Sequence, residues 1–201
     1  MNVVERSTPY YTPVSWTQRP INAIVLHDTE TRGQVPPHNQ GSWHYEIDRD
    51  GTLFRDVLEQ HCAWHVLATD RWRPTWVVPA PINLSDANWC TLGIELVSHA
   101  DYRAAGEPYT AAQYEALLEL VHDLYARYGP LPLVGHGQLQ ADRSDPVDFA
   151  WEQLGGVWAD DGGYWLPPES DNAETPDEGG NHDVTDEERL ALLERISALE
   201  A

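Results

Sequence analysis

The sequence predicts an α/β domain in which short buried strands alternate with loops and one clear helix. Two observations carry that expectation. Apolar, β-branched runs at 21–27, 91–98 and 131–135 have the length of strands, and residues 111–128 place apolar side chains at helical spacing. A chain of 201 residues is long enough for one domain with a sizeable core and an appendage.

Residues 1–20, spotted with Pro and Thr, read as an extended lead-in. The run Ile21-Asn22-Ala23-Ile24-Val25-Leu26-His27 reads as a buried strand that ends in a histidine. Residues 44–48 and 52–57 read as a hairpin closed by Asp48-Arg49-Asp50-Gly51, with Gly51 suited to a positive φ. Residues 68–89 form a long irregular stretch with Trp72, Trp76 and Trp89. Loops of this length are usually functional or disordered, and the aromatic content argues against disorder. Residues 91–98 read as a core strand. Thr110 and Gln113 form a capping box that opens the helix. Tyr114, Leu117, Leu118, Val121, Leu124, Tyr125 and Tyr128 repeat along it, and Gly129-Pro130 stops it. Leu131 to Gly135 is a further short strand.

From Glu169 the composition changes, with eleven acids against two arginines over 169–201. The expected organisation is a folded domain over 1–168, an acidic linker over 169–183 and a short amphipathic helix over 184–201. Thr185 and Glu188 cap that helix, and Leu192, Ile196 and Leu199 line one face. Such a helix can dock on the domain or drive self-association.

The formal net charge is −21, and every one of the twelve basic residues is Arg. That balance excludes nucleic acid, whose phosphates demand a basic footprint, and attraction to anionic lipid. No run approaches the ~18 apolar residues of a membrane span. The N-terminus lacks a basic segment followed by an apolar stretch, so synthesis in a cytoplasm without a signal peptide is expected. Cys62 and Cys90 form no CxxC pair, which rules out a finger-type thiolate site. They read as two buried free thiols.

Three segments carry candidate chemistry: Leu26-His27-Asp28-Thr29, Gly135-His136 and Arg143-Ser144-Asp145-Pro146. Two histidines and an aspartate can hold a catalytic zinc, leaving the fourth tetrahedral position open for water. Zinc lowers the pKa of such a water to roughly 7. Read alone, each residue also fits a structural role: a hydrogen-bonded histidine at a strand end, or an aspartate in a turn. Their spacing follows no short metal-ligand motif.

These segments occur in one order with Ser42-Trp43-His44-Tyr45-Glu46-Ile47-Asp48-Arg49-Asp50-Gly51 and Gly93-Ile94-Glu95-Leu96. The ordered set, over roughly residues 20–155, resembles the zinc-dependent N-acetylmuramoyl-L-alanine amidases of type 2. That family includes phage lysozyme-type amidases and is related to peptidoglycan recognition proteins. The resemblance implies a central mixed β-sheet flanked by helices, with Zn2+ held by His27, His136 and Asp145. It implies a catalytic role for Glu95, since a carboxylate beside an activated water can take its proton and pass it to the leaving amine. Arg143 stands where the family more often has Lys and keeps a cation for the oxyanion. Val147 replaces a frequent Gly. Trp43 lies where some phage members use a catalytic Tyr, which favours Glu95. His44, His65, Thr29, Trp72 and Trp76 are the candidates for positioning ligands or lining a substrate groove.

The resulting expectation is a hydrolase that cleaves the amide between N-acetylmuramic acid and L-alanine of the stem peptide. Its setting is expected to be a phage endolysin or virion-associated lysin, reaching the wall after release. Its rivals are a recycling amidase acting on cytoplasmic muropeptides, a catalytically silent peptidoglycan-binding protein, and a domain that zinc merely holds together.

Overall fold

The computed structural model describes residues 3–14, 19–38, 41–66, 87–140 and 142–155, and the backbone of 157–158 and 165–166. All of these lie in one compact unit that ends at Pro168. The expected linker over 169–183 and the helix over 184–201 lie outside the described residues.

The strands are β1 (Val3–Glu5), β2 (Tyr11–Thr12), β3 (Ala23–Asp28), β4 (Tyr45–Ile47), β5 (Leu53–Arg55), β6 (Cys62–Ala63), β7 (Thr91–Leu96), β8 (Leu133–Gly135), β9 (Val157–Trp158) and β10 (Trp165–Leu166). The helices are α1 (Ala87–Cys90), α2 (Ala100–Ala104), α3 (Ala111–Tyr128) and α4 (His136–Leu139), followed by a 3-10 turn at Trp151–Leu154. Eight strands form one sheet in the order β1-β5-β4-β7-β3-β8-β10-β9, and β2 pairs with β6 separately. The centre of the large sheet, β4-β7-β3-β8, is parallel, while β5 is antiparallel to β4 and β10 antiparallel to β8. The sheet is therefore mixed, as expected. The lead-in over residues 1–20 does more than run alongside, because β1 adds a parallel edge strand to β5.

β3 and β7 are buried along their whole length, which suits strands covered on both faces. Alternation sorts their side chains. Ile24, Leu26, Leu92, Ile94 and Leu96 point into one core with Leu117, Leu120, Val121 and Leu124 of α3. Ala23 and Val25 point the other way, into a smaller cluster with Val66, Ala87, Cys90, Val134 and Leu139. Each fully buried leucine of α3 contributes roughly 1.5–3 kcal/mol by leaving water. The α3 cap forms as the sequence predicts. Thr110 accepts from the Gln113 backbone at 3.2 Å, and Gln113 accepts from the Thr110 backbone at 3.1 Å. The buried Gln113 amide also donates to the Ile47 and Val97 carbonyls, tying the helix start to the sheet.

The hairpin turn places Gly51 at φ 83° with Ala112 O 2.9 Å from where a Cβ would sit, so both conformation and space call for glycine. The thiols of Cys62 and Cys90 are buried, facing the carbonyls of Ala63 and Ala87. Among the described residues no helix is long and apolar enough to cross a membrane.

Candidate functional site

The parallel strands end on one side of the sheet, and the site lies there, as is common in α/β sheets. His27 is the fifth residue of β3, in register with Glu95 of β7, which is in register with Glu46 of β4. A row of polar side chains thus continues the face that carries Ala23 and Val25. His136 opens α4 directly after β8. Asp145 comes from the loop that follows α4.

Two glycines bring that loop in. A Cβ on Gly137 would lie 3.0 Å from Arg143 O, and one on Gly135 would lie 2.9 Å from Pro146 Cδ. The Gly137 N–H donates to Asp145 O at 2.8 Å. Asp28 pins the far side of the loop. Its Oδ2 accepts from Val147 N–H at 2.8 Å and from the Tyr109 hydroxyl at 3.0 Å.

Three ligand atoms converge as a result. His27 Nδ1 lies 3.0 Å from His136 Nδ1 and 3.1 Å from Asp145 Oδ2, and His136 Nδ1 lies 3.0 Å from Asp145 Oδ2. Among the described residues these three form the one cluster able to hold a metal ion. Donors bound to a tetrahedral zinc at ~2.0–2.1 Å stand about 3.3 Å apart, within a few tenths of an ångström of this spacing.

The donor chemistry also fits a cation. Burial and the neighbouring His136 lower the His27 pKa to about 4, so its imidazole is neutral at pH 7. Burial works against ionisation of Asp145, and protons on the facing His136 and His27 nitrogens outweigh it, so the carboxyl is held below its ordinary range only while positive charge sits beside it. His136 Nε2 is bonded to Gln140 Oε1, an acceptor, so the ring donates there, and in a ring with one proton Nδ1 is then the lone pair. Lone pairs and an anion facing one another call for positive charge between them.

The convergent group opens into a cavity of about 320 Å³. Its lining includes Glu95, His65, Arg143, Trp43 and Trp64. Glu95 is only 9% exposed, and its Oε2 is buried without a hydrogen-bond partner. Burial first, then the charges of Asp145, Asp28 and Glu46, push its pKa well above the carboxylate range. Arg143 is exposed on the Asp145 loop at the cavity mouth.

The remaining candidates divide. His65 lines the cavity and lies 3.1 Å from His27 Nε2 through its Nδ1. His44 sits deeper, fully buried. Its Nδ1 accepts from Gly93 N–H at 3.0 Å and its Nε2 donates to His61 O at 3.1 Å, so backbone occupies both nitrogens. The Thr29 hydroxyl joins Thr31 and Ser98, and Thr29 is not among the residues lining the cavity. Trp72 and Trp76 lie outside the described residues. The aromatic walls that are described, Trp43 and Trp64, were not singled out as groove residues from sequence. Trp64 stands directly before His65, and that adjacency was the available signal. Gln140, four residues after His136, was likewise readable as one turn of helix.

Known proteins resemble this chain in sequence and in fold. Residues 17–148 match the Amidase_2 family, described as N-acetylmuramoyl-L-alanine amidase. The chain is 33% identical over 138 residues to the N-acetylmuramoyl-L-alanine amidase AmiD of Escherichia coli K12. That match covers 63% of this chain and 44% of AmiD, so the chain spans less than half the length of this relative. A solved structure of AmiD with the substrate anhydro-N-acetylmuramic acid-L-Ala-D-gamma-Glu-L-Lys aligns at TM-score 0.50 and 27% identity, covering 70% of this chain and 60% of that one. The amidase LysC from Clostridium intestinale URNW shares the fold at TM-score 0.54 and 21% identity, covering 76% of this chain and 94% of that one. With two thirds of its residues matched in order, and the fold alike, the chain belongs to the N-acetylmuramoyl-L-alanine amidase family, type 2.

Proposed function

We propose that this chain is a zinc-dependent peptidoglycan amidase that hydrolyses the bond between the lactyl group of N-acetylmuramic acid and L-alanine. The observation that carries the reading is the convergence of His27 Nδ1, His136 Nδ1 and Asp145 Oδ2 beside the unpartnered carboxyl of Glu95. A zinc ion held by those three atoms would supply a Lewis acid for the scissile carbonyl and would make a water nucleophilic at neutral pH.

The chain's own residues do the rest. Glu95, raised in proton affinity by burial and three nearby acids, takes the proton of the attacking water at Oε2 and delivers it to the leaving amine. The Arg143 guanidinium, reaching in from the cavity mouth, offsets the negative charge that develops on the carbonyl oxygen. Trp43 and Trp64 give the cavity apolar walls that suit a sugar face or a peptide stem. Peptidoglycan or a muropeptide is the substrate that matches a cavity built this way in this family.

Intact wall, in the manner of a phage-type lysin, is the substrate form we infer. Digestion of purified sacculi alongside soluble muropeptides tests both levels of the reading. New L-alanine amino termini without new reducing sugar ends establish the amidase, and faster release from sacculi supports the lysin setting. Preference for the muropeptide overturns that setting in favour of recycling. No cleavage of either overturns the enzyme in favour of a binding protein.

A further inference from the structure

Behind the convergent group runs a second line of buried polar atoms. His27 Nε2 lies 3.1 Å from His65 Nδ1, and His65 Nε2 lies 3.2 Å from Thr91 Oγ1. The Thr91 hydroxyl in turn lies 2.6 Å from the Ala87 carbonyl. His27, His65 and Thr91 are 3%, 9% and 0% exposed.

Chemistry fixes the direction of this line. A carbonyl only accepts, so the hydroxyl proton of Thr91 points to Ala87 O. Thr91 Oγ1 must then accept from His65 Nε2–H. A neutral imidazole carries one proton, so with that proton on Nε2 the His65 Nδ1 facing His27 is a lone pair. That lone pair accepts from His27 Nε2–H. With its one proton on Nε2, neutral His27 presents a bare Nδ1 to His136 and Asp145.

We infer that Thr91 and His65 are positioning residues that set the His27 tautomer, so that the site is ready for a metal ion before one arrives. The inference rests on the metal reading above and adds to it the device that prepares the ligand.

The surrounding chain holds the line in place. Asn88 Oδ1 accepts from the backbone N–H groups of His65 and Val66 at 3.0 and 2.8 Å, and Asn88 Nδ2 donates to Val66 O. The buried Arg19 guanidinium donates to the carbonyls of Asn88 and Thr91, which fixes the junction between α1 and β7. Gly93, two residues after Thr91, leaves the space the ring occupies: a Cβ there would fall 2.5 Å from His65 Cγ.

Removing the hydroxyl breaks the order. In Thr91→Val, His65 Nε2 faces a methyl group, so nothing holds the proton on that nitrogen and the tautomer with the proton on Nδ1 is no longer disfavoured. A proton on His65 Nδ1 opposes His27 Nε2–H and drives the His27 proton to Nδ1, into the ligand cluster. Supporting residues of metal ligands typically contribute about 10–100-fold in affinity.

The test is zinc affinity, by competition with a chromogenic chelator, for wild type, Thr91→Val and Thr91→Ser, with thermal unfolding of the metal-free forms. Thr91→Val is expected to bind zinc about 10–100-fold more weakly, and Thr91→Ser to bind like wild type. Equal affinity in wild type and Thr91→Val overturns the relay. Nitrogen NMR of the metal-free wild type reads the tautomers with no variant at all. Protons on Nε2 of both His65 and His27 are expected, and a proton on His65 Nδ1 overturns the assignment. A wild-type chain that takes up no zinc contradicts the metal reading itself, and the NMR result then decides the hydrogen-bond order separately.

Discussion

On the α3 side of β3 and β7, Ile24, Leu26, Leu92, Ile94 and Leu96 are fully buried among leucines. On the opposite side the same strands present Ala23, Val25 and His27, and Thr91, Gly93 and Glu95. Both sides exclude water. One does so with close-packed hydrocarbon, the other with small residues that admit imidazoles and carboxyls and leave some polar atoms unpartnered. Glu95 Oε2 and Glu46 Oε1 are both buried without hydrogen-bond partners. Such atoms cost stability, which the α3 side offsets. The fold thus separates its two tasks by a single residue step along one strand.

Adjacent residues test that division most sharply. His27→Ala should abolish amide cleavage and zinc binding while leaving the fold intact, as read by circular dichroism. Leu26→Ala should lose roughly 2–5 kcal/mol of unfolding free energy by leaving a cavity, yet bind zinc normally while folded. Loss of zinc binding in folded Leu26→Ala would break the comparison.

Within the polar side, Glu95→Gln should lower turnover by about 10²–10⁴-fold and keep zinc bound, measured by hydrolysis rate and metal content on the same sample. Glu46 gives a pH signature. Burial raises its pKa to about 7 against an ordinary 4.5, with Arg6 opposing. Between those values the native state keeps a proton that the unfolded chain has released, so stability falls as pH rises from about 4.5 to 7. Glu46→Gln should flatten that decline, by an amount on the order of 3 kcal/mol, in denaturant unfolding across this pH range. The smallest effect is expected at the helix cap. Thr110→Ala should cost about 1 kcal/mol and leave zinc affinity unchanged.

How far each side could be read from sequence follows from the same difference. The α3 side was legible because it depends on local pattern: the 3.6-residue repeat, the Thr110–Gln113 box and the β-branched runs each appear in a short window. Leu120 completes that face without having been singled out. The ligands His27, His136 and Asp145 came from an ordered resemblance and not from spacing, since 109 and 118 residues separate His27 from the two others. His65 and Thr91 matter through hydrogen bonds between side chains whose sequence neighbours carry no trace of the partnership. Glu46 is hidden for another reason. An acid in an alternating strand reads as facing solvent, and only the covered second face of this sheet buries it. The pairing of β1 and β2 was also out of reach, because strands of two or three residues have too little pattern to register.

The central claim is that a metal ion sits on the polar side of β3, on three particular atoms. Anomalous diffraction at the zinc edge from crystals of the zinc-loaded protein tests it directly. One ion bonded to His27 Nδ1, His136 Nδ1 and an Asp145 carboxylate oxygen is the predicted result. An ion bound through His27 Nε2, or one placed away from these residues, would contradict the account.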